Sequence, residues 1–220
     1  MRTLLAIDGA LGVFSAAAIG LDGSAPRAAA ATRNDALERG LALVAEVLGA
    51  GGFEDVARIA VTTGPGGFTG LRIALSYAKS LAFARDLPLV GVSSYDVVEP
   101  DEVAPPLAAF VSGRAGLACV RLRLGNDASV ECGTDEQVVA ALAGRLGAGA
   151  TLACAGAPEG VLARLGERGI IVRLCSPSPS PPALALARKA LQRTPAANPH
   201  AVRADYGSVA YYTRREAPRA

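Results

Sequence analysis

The chain has 220 residues, 51% of them hydrophobic, which is enough to bury a substantial core as one large domain or two small ones; two are expected. Its 22 basic and 20 acidic residues are largely interspersed and leave a formal net charge of +2, which excludes a polyelectrolyte tail and argues against strong autonomous nucleic-acid binding. Met1-Arg2-Thr3 runs directly into Leu4-Leu5-Ala6-Ile7 and Asp8-Gly9. That apolar run is too short for a signal peptide or membrane helix, so a cytoplasmic protein without membrane contact is expected.

Residues 3 to 8 read as an apolar strand ending at Asp8, and residues 13 to 19 as a second strand beyond a Gly9–Gly12 turn. A weaker third strand is expected over residues 26 to 31. From Asn34 the pattern becomes helical: Leu37, Leu41, Val44 and Leu48 recur at helical spacing, with Leu43 and Val47 on an adjoining flank. These positions cover an arc of roughly 160°, wider than the roughly 100° stripe that one sheet face requires. Gly49, Gly51 and Gly52 end the helix.

Residues 56 to 62 supply another strand, which feeds Gly64-Pro65-Gly66-Gly67-Phe68-Thr69-Gly70-Leu71-Arg72 and then a helix over 69 to 85 with Thr69 at its N-cap. A loop of this kind aims backbone N–H groups in one direction at a helix start. Asp8, Gly66, Gly67, Thr69 and Arg72 are therefore candidates for an anion or phosphate site. A plain glycine turn between a strand and a closely packed helix is the competing assignment. The spacing is not that of a Walker A loop, since no Gly-Lys-Ser/Thr follows. Outside a narrow polar sector at Arg72, Ser76 and Lys79 the helix is apolar all round, and Gly70, Ala74 and Ala78 form a shallow ridge. That pattern suits close approach of another backbone, from a partner or from the chain's own core.

A strand over 87 to 92 leads to a cap at Ser93-Ser94-Tyr95 before a short helix, and the proline-rich stretch 100 to 106 marks an expected boundary between lobes 1–100 and 101–220. Strands over 107–111 and 117–124 flank a Ser112-Gly113-Arg114 turn, the second placing Arg121 and Arg123 on one face. A helix over 135–146, a strand over 151–154, a helix over 158–166 and a strand over 170–174 complete an αβ alternation. Residues 176–182 read as a stiff extended connector before a helix over 183–193, and Tyr206, Tyr211, Tyr212, Arg214 and Arg215 give the tail a basic aromatic character.

Cys119, Cys132, Cys154 and Cys175 stand far apart without a Cys-x-x-Cys, so buried free thiols are expected rather than a metal site. His200 is the one histidine and lies in a proline-flanked loop. It supports neither a histidine metal cluster nor a Ser-His-Asp triad.

The element order is compatible with a ribonuclease-H-like or actin-like fold. The Gly64–Arg72 run closely resembles the G-P-G-S-F-T-G-L-R signature of the TsaB (YeaZ) family. Leu5–Asp8, Glu38-Arg39 through Leu48, and Pro88–Val92 extend the resemblance over about half the chain, and Tyr212-Thr213-Arg214 stands where the family often ends in Tyr-Leu-Arg. The resemblance implies an α/β, actin-like (ASKHA) two-lobed fold with mixed sheets flanked by helices. It also implies a non-catalytic partner of a TsaD-like transferase, working with a TsaE-like ATPase on tRNA to modify the adenosine beside the anticodon.

Three departures qualify that likeness. Ser94 and Val98 stand where the catalytic relatives carry a metal-binding histidine pair, and neither replaces an imidazole ligand. Asp8-Gly9-Ala10 replaces a common Asp-Thr-Ser and removes a hydroxyl suited to phosphate. Ala36 and Ala42 replace a helix histidine and proline. No intrinsic metal or cofactor is expected, and ATP or ADP only at an interface of the assembled complex. The expected docking residues are Leu37, Leu41, Val44, Leu48, Gly70, Leu71, Ala74 and Ala78, which in isolation would pair two copies. The alternative is a stand-alone actin-like ATPase or a peptidase using Asp8 and the glycine loop.

Overall fold

The computed structural model describes residues 2–31, 36–114, 117–175 and 180–207, with the side chains of 36–38 and 112–114 outside that description. The expected helix start at Asn34, the side chain of Leu37, the connector residues 176–179 and the tail residues Tyr211, Tyr212, Arg214 and Arg215 therefore lie outside the described residues.

Strands β1 (Thr3–Asp8), β2 (Ser15–Gly20), β3 (Arg27–Ala30), β4 (Val56–Thr62) and β5 (Leu89–Val92) form one sheet in the order β3-β2-β1-β4-β5. β1 is antiparallel to β2 and parallel to β4, and every residue of β1 and β2 is buried. Burial on both faces explains why these strands read as continuous apolar runs rather than alternating ones. Helices α1 (Ala36–Leu48) and α2 (Phe68–Ala84) cover one face of this sheet. Leu43, Val44 and Val47 of α1 and Ala74, Ala78 and Ala82 of α2 share a single core with Leu5, Ile7, Ile59 and Val61.

The second sheet repeats the scheme. Strands β6 (Leu107–Arg114), β7 (Leu117–Leu124), β8 (Asp127–Thr134), β9 (Thr151–Ala155) and β10 (Ile171–Leu174) lie in the order β10-β9-β6-β7-β8, the same succession of pairings shifted along the chain. Helices α4 (Asp135–Leu146) and α5 (Glu159–Glu167) pack on one face through Val138, Leu142, Val161 and Leu165. α4 begins after β8 because Thr134 and Gln137 form a capping box, each side chain accepting the other's backbone N–H at 3.3 and 2.9 Å.

Two helices fill the space between the sheets. The short α3 (Ser94–Val98) brings Tyr95 against Ala109, Val111 and Cys119 of the second sheet. α6 (Pro182–Leu191) returns to the first, where Ala183, Leu186, Ala187 and Ala190 pack on Leu4, Ala6, Ala17, Ala60 and Val90. Its first turn is held by β2, since the Ala183 N–H donates to the buried Ser15 hydroxyl at 3.2 Å. A division of the sequence at residue 100 thus leaves α6 with the wrong lobe: the first sheet needs a second apolar cover, and the chain supplies it only after the second sheet is complete.

β8 was not legible as a strand, and β6 runs on to Arg114, so residues 112–114 belong to the strand rather than to the expected turn. β8 is an edge strand with exposed Asp127 and Glu131, which dilutes its alternation, although Gly125-Asn126 before it is a two-residue hairpin signal. The two arginines of β7 do find a shared role. Arg121 pairs with Glu99 and, at 2.7 Å, with Asp96; Arg123 reaches Glu99 at 3.1 Å, and Arg193 beyond α6 reaches Asp96 at 2.8 Å. This cluster ties the second sheet to α3 and to the end of α6.

Replacing Arg121 with Ala leaves two largely buried carboxylates each short of a partner. The expected loss of unfolding free energy is about 3 kcal/mol, measured by urea denaturation. An unchanged midpoint would show that the cluster holds nothing together.

Candidate functional site

The glycine loop is shaped by contacts with the turn after β1. A Cβ on Gly66 would stand 2.3 Å from the Ala10 carbonyl oxygen, and a Cβ on Gly70 would stand 2.1 Å from the Gly9 carbonyl oxygen. Gly9 is bound by the same geometry, with its Cβ position 2.3 Å from the Gly70 oxygen. The Gly67 N–H donates to the Ala10 carbonyl at 2.9 Å, and Gly64, at a φ of 100°, lies against the carbonyl oxygen of Asp205. Glycine is required here so that one backbone can lie directly on another.

The loop's N–H at Gly67 therefore points at the protein itself. Gly67 is the N-cap of α2, and Thr69, expected at the cap, is exposed one residue inside the helix. Arg72 turns away: its guanidinium lies 3.7 Å over the Phe68 ring, and its Nε donates to the Tyr206 hydroxyl at 3.2 Å. Asp8 sits fully buried beneath the turn. Its carboxylate accepts from the Thr62 hydroxyl and from the Ala10 and Leu11 N–H groups at 3.2 and 3.3 Å. The five candidate anion residues are thus neighbours in sequence and fold, but they do not converge on one opening.

Burial pushes the Asp8 carboxyl above its ordinary value of 3.8, against the lowering effect of those three hydrogen bonds. Ser94, at the start of α3, is also fully buried; its N–H donates to the Gly64 carbonyl at 2.9 Å, while its hydroxyl oxygen has no partner among the described residues. Among the described residues no group of three or more His, Cys, Asp or Glu is placed to hold a metal ion.

The two long helices stand side by side, as their shared core requires. Gly40 lets the Tyr77 ring meet the backbone of α1, since a Cβ there would stand 2.6 Å from the ring, and Tyr77 packs edge-on to Phe14 at 6.0 Å. Most of the expected docking residues face inward, however. Val44, Leu48, Leu71, Ala74 and Ala78 are buried in the chain's own core, and Gly70 is occupied by Gly9. The shallow ridge does accept a close backbone, but that backbone is the β1–β2 turn. Among the expected docking residues whose side chains are described, Leu41, 54% exposed, is the one on the solvent side, beside Arg39, Ala42, Ala45 and Glu46.

Sequence reasoning missed two features. Cys119 and Cys132, expected as free thiols, are joined in a disulfide across β7 and β8, where they are directly opposed; Cys154 and Cys175 are free. The clasp by Gly9 and Ala10 was also missed, although a glycine directly after a strand end is its signal. No helix among the described residues is long and apolar enough to cross a membrane.

Residues 20–143, just over half of the chain, match the family model described as TsaD, tRNA N6-adenosine threonylcarbamoyltransferase. Over 69 residues the chain is 44% identical to the tRNA N6-adenosine threonylcarbamoyltransferase of Clostridioides difficile, a stretch covering 28% of this chain and 20% of that protein. Over 45 residues it is 42% identical to the tRNA threonylcarbamoyladenosine biosynthesis protein TsaB of Bacillus subtilis, covering 20% of each. The matched segments thus span about a fifth of the length of these curated relatives. Two Pseudomonas aeruginosa structures, each 24% identical, share the fold. One, an uncharacterized protein with similarity to peptidase YEAZ, superposes with a TM-score of 0.67 over 94% of this chain and 99% of its own. The other, YeaZ, gives 0.60 over 86% and 92%. The architecture is the α/β, actin-like two-lobed one, with mixed sheets flanked by helices.

Two measurements check the geometry. Gly70→Ala should cost about 3 kcal/mol by forcing the loop off the β1–β2 turn, whereas Gly144→Ala in α4, with open space around it, should add about 0.5–1 kcal/mol. Similar denaturation midpoints for the two would remove the clasp. Because the folded Asp8 carboxyl titrates above its unfolded value, its stabilising share is complete below 3.8 and is lost as pH rises through the higher folded value. Asp8→Asn should abolish that loss, so its stability relative to the parent protein should grow with pH; a pH-independent difference would contradict the burial of the charge.

Proposed function

The chain belongs to the TsaD family, described as tRNA N6-adenosine threonylcarbamoyltransferase, and on that premise we propose that it is a non-catalytic subunit of a tRNA threonylcarbamoyladenosine transferase complex. It binds and activates a TsaD-like catalytic subunit through the solvent side of α1 and α2. A TsaE-like ATPase and tRNA engage the assembled complex, and ATP or ADP enters only at an interface within it. Alone, the same helix pair packs against a second copy.

One observation carries this proposal: the loop that bears the family signature is clasped to the chain's own β1–β2 turn, with Asp8 enclosed below it. A nucleotide phosphate or an attacking water would need the Gly67 N–H and the Asp8 carboxylate within reach, and both are engaged inside the chain. Ser94 and Val98 in place of a histidine pair support the same division of labour. Catalysis then belongs to the partner, and this chain contributes a rigid helix face.

The burial of Ala74 and Ala78 moves the test of docking to Leu41. A charged side chain at Ala74 would enter the core and unfold the protein, whereas Leu41→Glu lies at the surface and should alter stability by less than about 0.5 kcal/mol. Leu41→Glu should weaken co-purification with a TsaD-like subunit at least tenfold, about 1.4 kcal/mol. Equal capture by both forms would put the partner elsewhere. ATP or peptide turnover by the chain alone, abolished by Asp8→Ala, would instead establish the stand-alone enzyme.

A further inference from the structure

We propose that the Cys119–Cys132 disulfide is a thiol-exchange site, opened and closed by a small thiol of the glutathione class or by a protein dithiol, and that residues 202–207 respond to its state. The two cysteines face one another in a hairpin whose ladder runs from Leu117 opposite Thr134 to Leu124 opposite Asp127. Those backbone bonds hold the strands together whether or not the sulfurs are joined, so opening the bond leaves the sheet intact. The two residues differ in exposure. Cys119 is fully buried, while Cys132 is half-buried on β8, the edge strand of its sheet.

An incoming thiolate therefore attacks the Cys132 sulfur. The disulfide bond breaks, its electron pair passes to the Cys119 sulfur, and that sulfur takes up a proton. A second external thiolate attacks the outer sulfur of the mixed disulfide and releases Cys132 as a thiol after protonation. Two electrons and two protons pass to the protein, and the external thiols leave as their own disulfide. The chain's remaining thiols are poor substitutes for the external one: Cys154 is buried, with its thiol pushed up to about 12 by desolvation, and burial also raises Cys175.

The bond lies where two parts of the molecule meet. Gly207 is seated on both sulfurs, a Cβ there falling 3.0 Å from one and 3.2 Å from the other, with Pro65 of the glycine loop at 3.8 Å. Two separated thiols need more room than a bonded pair, and Gly207 occupies it. From Gly207 the connection runs inward: its N–H donates to the Asp205 carboxylate at 2.8 Å, and the Asp205 N–H donates to the Thr63 carbonyl at 2.7 Å. The Asp205 carbonyl oxygen lies on Gly64, and Val202 is buried beside Gly91. Opening the disulfide thus displaces the strap that lies over the start of the glycine loop.

The test uses the full chain under native conditions. After exposure to millimolar glutathione, unfolding and alkylation, four thiols should react where two react in the oxidised protein. Amide exchange at Asp205 and Gly207 should be at least tenfold faster in the reduced form, and Cys132→Ser should show the fast exchange without reductant. A bond that yields only after the protein is unfolded, or exchange at residues 202–207 equal in both redox states, would overturn the proposal. The untreated and glutathione-treated natural sequence decides the matter if the variant does not fold. Neither measurement depends on a partner subunit, so docking through Leu41 stands or falls separately.

Discussion

The contact of the Gly9-Ala10 turn with the Gly66–Gly70 segment fixes the position of everything on the outer side of the first sheet. Backbone meets backbone at a separation that no Cβ tolerates, and this seats the N-terminus of α2 on the end of β1. Once α2 is anchored there, its ridge of small residues faces the sheet and Ala74, Ala78 and Ala82 close the core. α1 then has one place to lie, alongside α2, with Tyr77 against Gly40. The loop's anion-binding look and its packing role compete for the same groups, and packing has taken the Gly67 N–H and the space at Gly66 and Gly70.

The same constraint separates support from contact on the helix pair. A helix apolar all round is enclosed, but enclosure comes from its own sheet, its neighbouring helix and residues 199–201 with the strap that follows them, before any second protein is involved. Arg72 stacks between Phe68 and the Tyr206 side of that strap, and Phe83 faces His200 at 6.0 Å, so polar and aromatic residues of α2 also serve the chain's own closure. What remains outward is Leu41 of α1 together with Phe68 and Phe83 of α2.

Between the lobes, charge and apolar packing cooperate. α6 buries small side chains on the first sheet, α3 presents Tyr95 to the second, and Arg121 joins Asp96 and Glu99 beside the Tyr95 ring. Ion pairs so little exposed hold geometry because breaking one leaves a charge without solvent. The disulfide and the end of the strap lie at this same junction, which is why a change at one sulfur pair is positioned to reach the glycine loop.

The sequence by itself determined the strands of the first sheet, both long helices, the αβ alternation of the second half and the family signature, because continuous apolar runs, helical spacing and glycine-proline turns are local patterns. It also marked the surplus apolar arc of α1. It did not determine what covers that arc, since Val44 facing a sheet and Val44 facing a partner leave the same spacing. Tertiary structure alone decided that α6 returns to the first sheet, that Gly70 meets Gly9, that Arg121 bridges the lobes and that Cys119 opposes Cys132. Each of these joins residues distant in the chain or sets a register across strands, and contacts of that kind depend on the assembled fold rather than on the periodicity of any one segment.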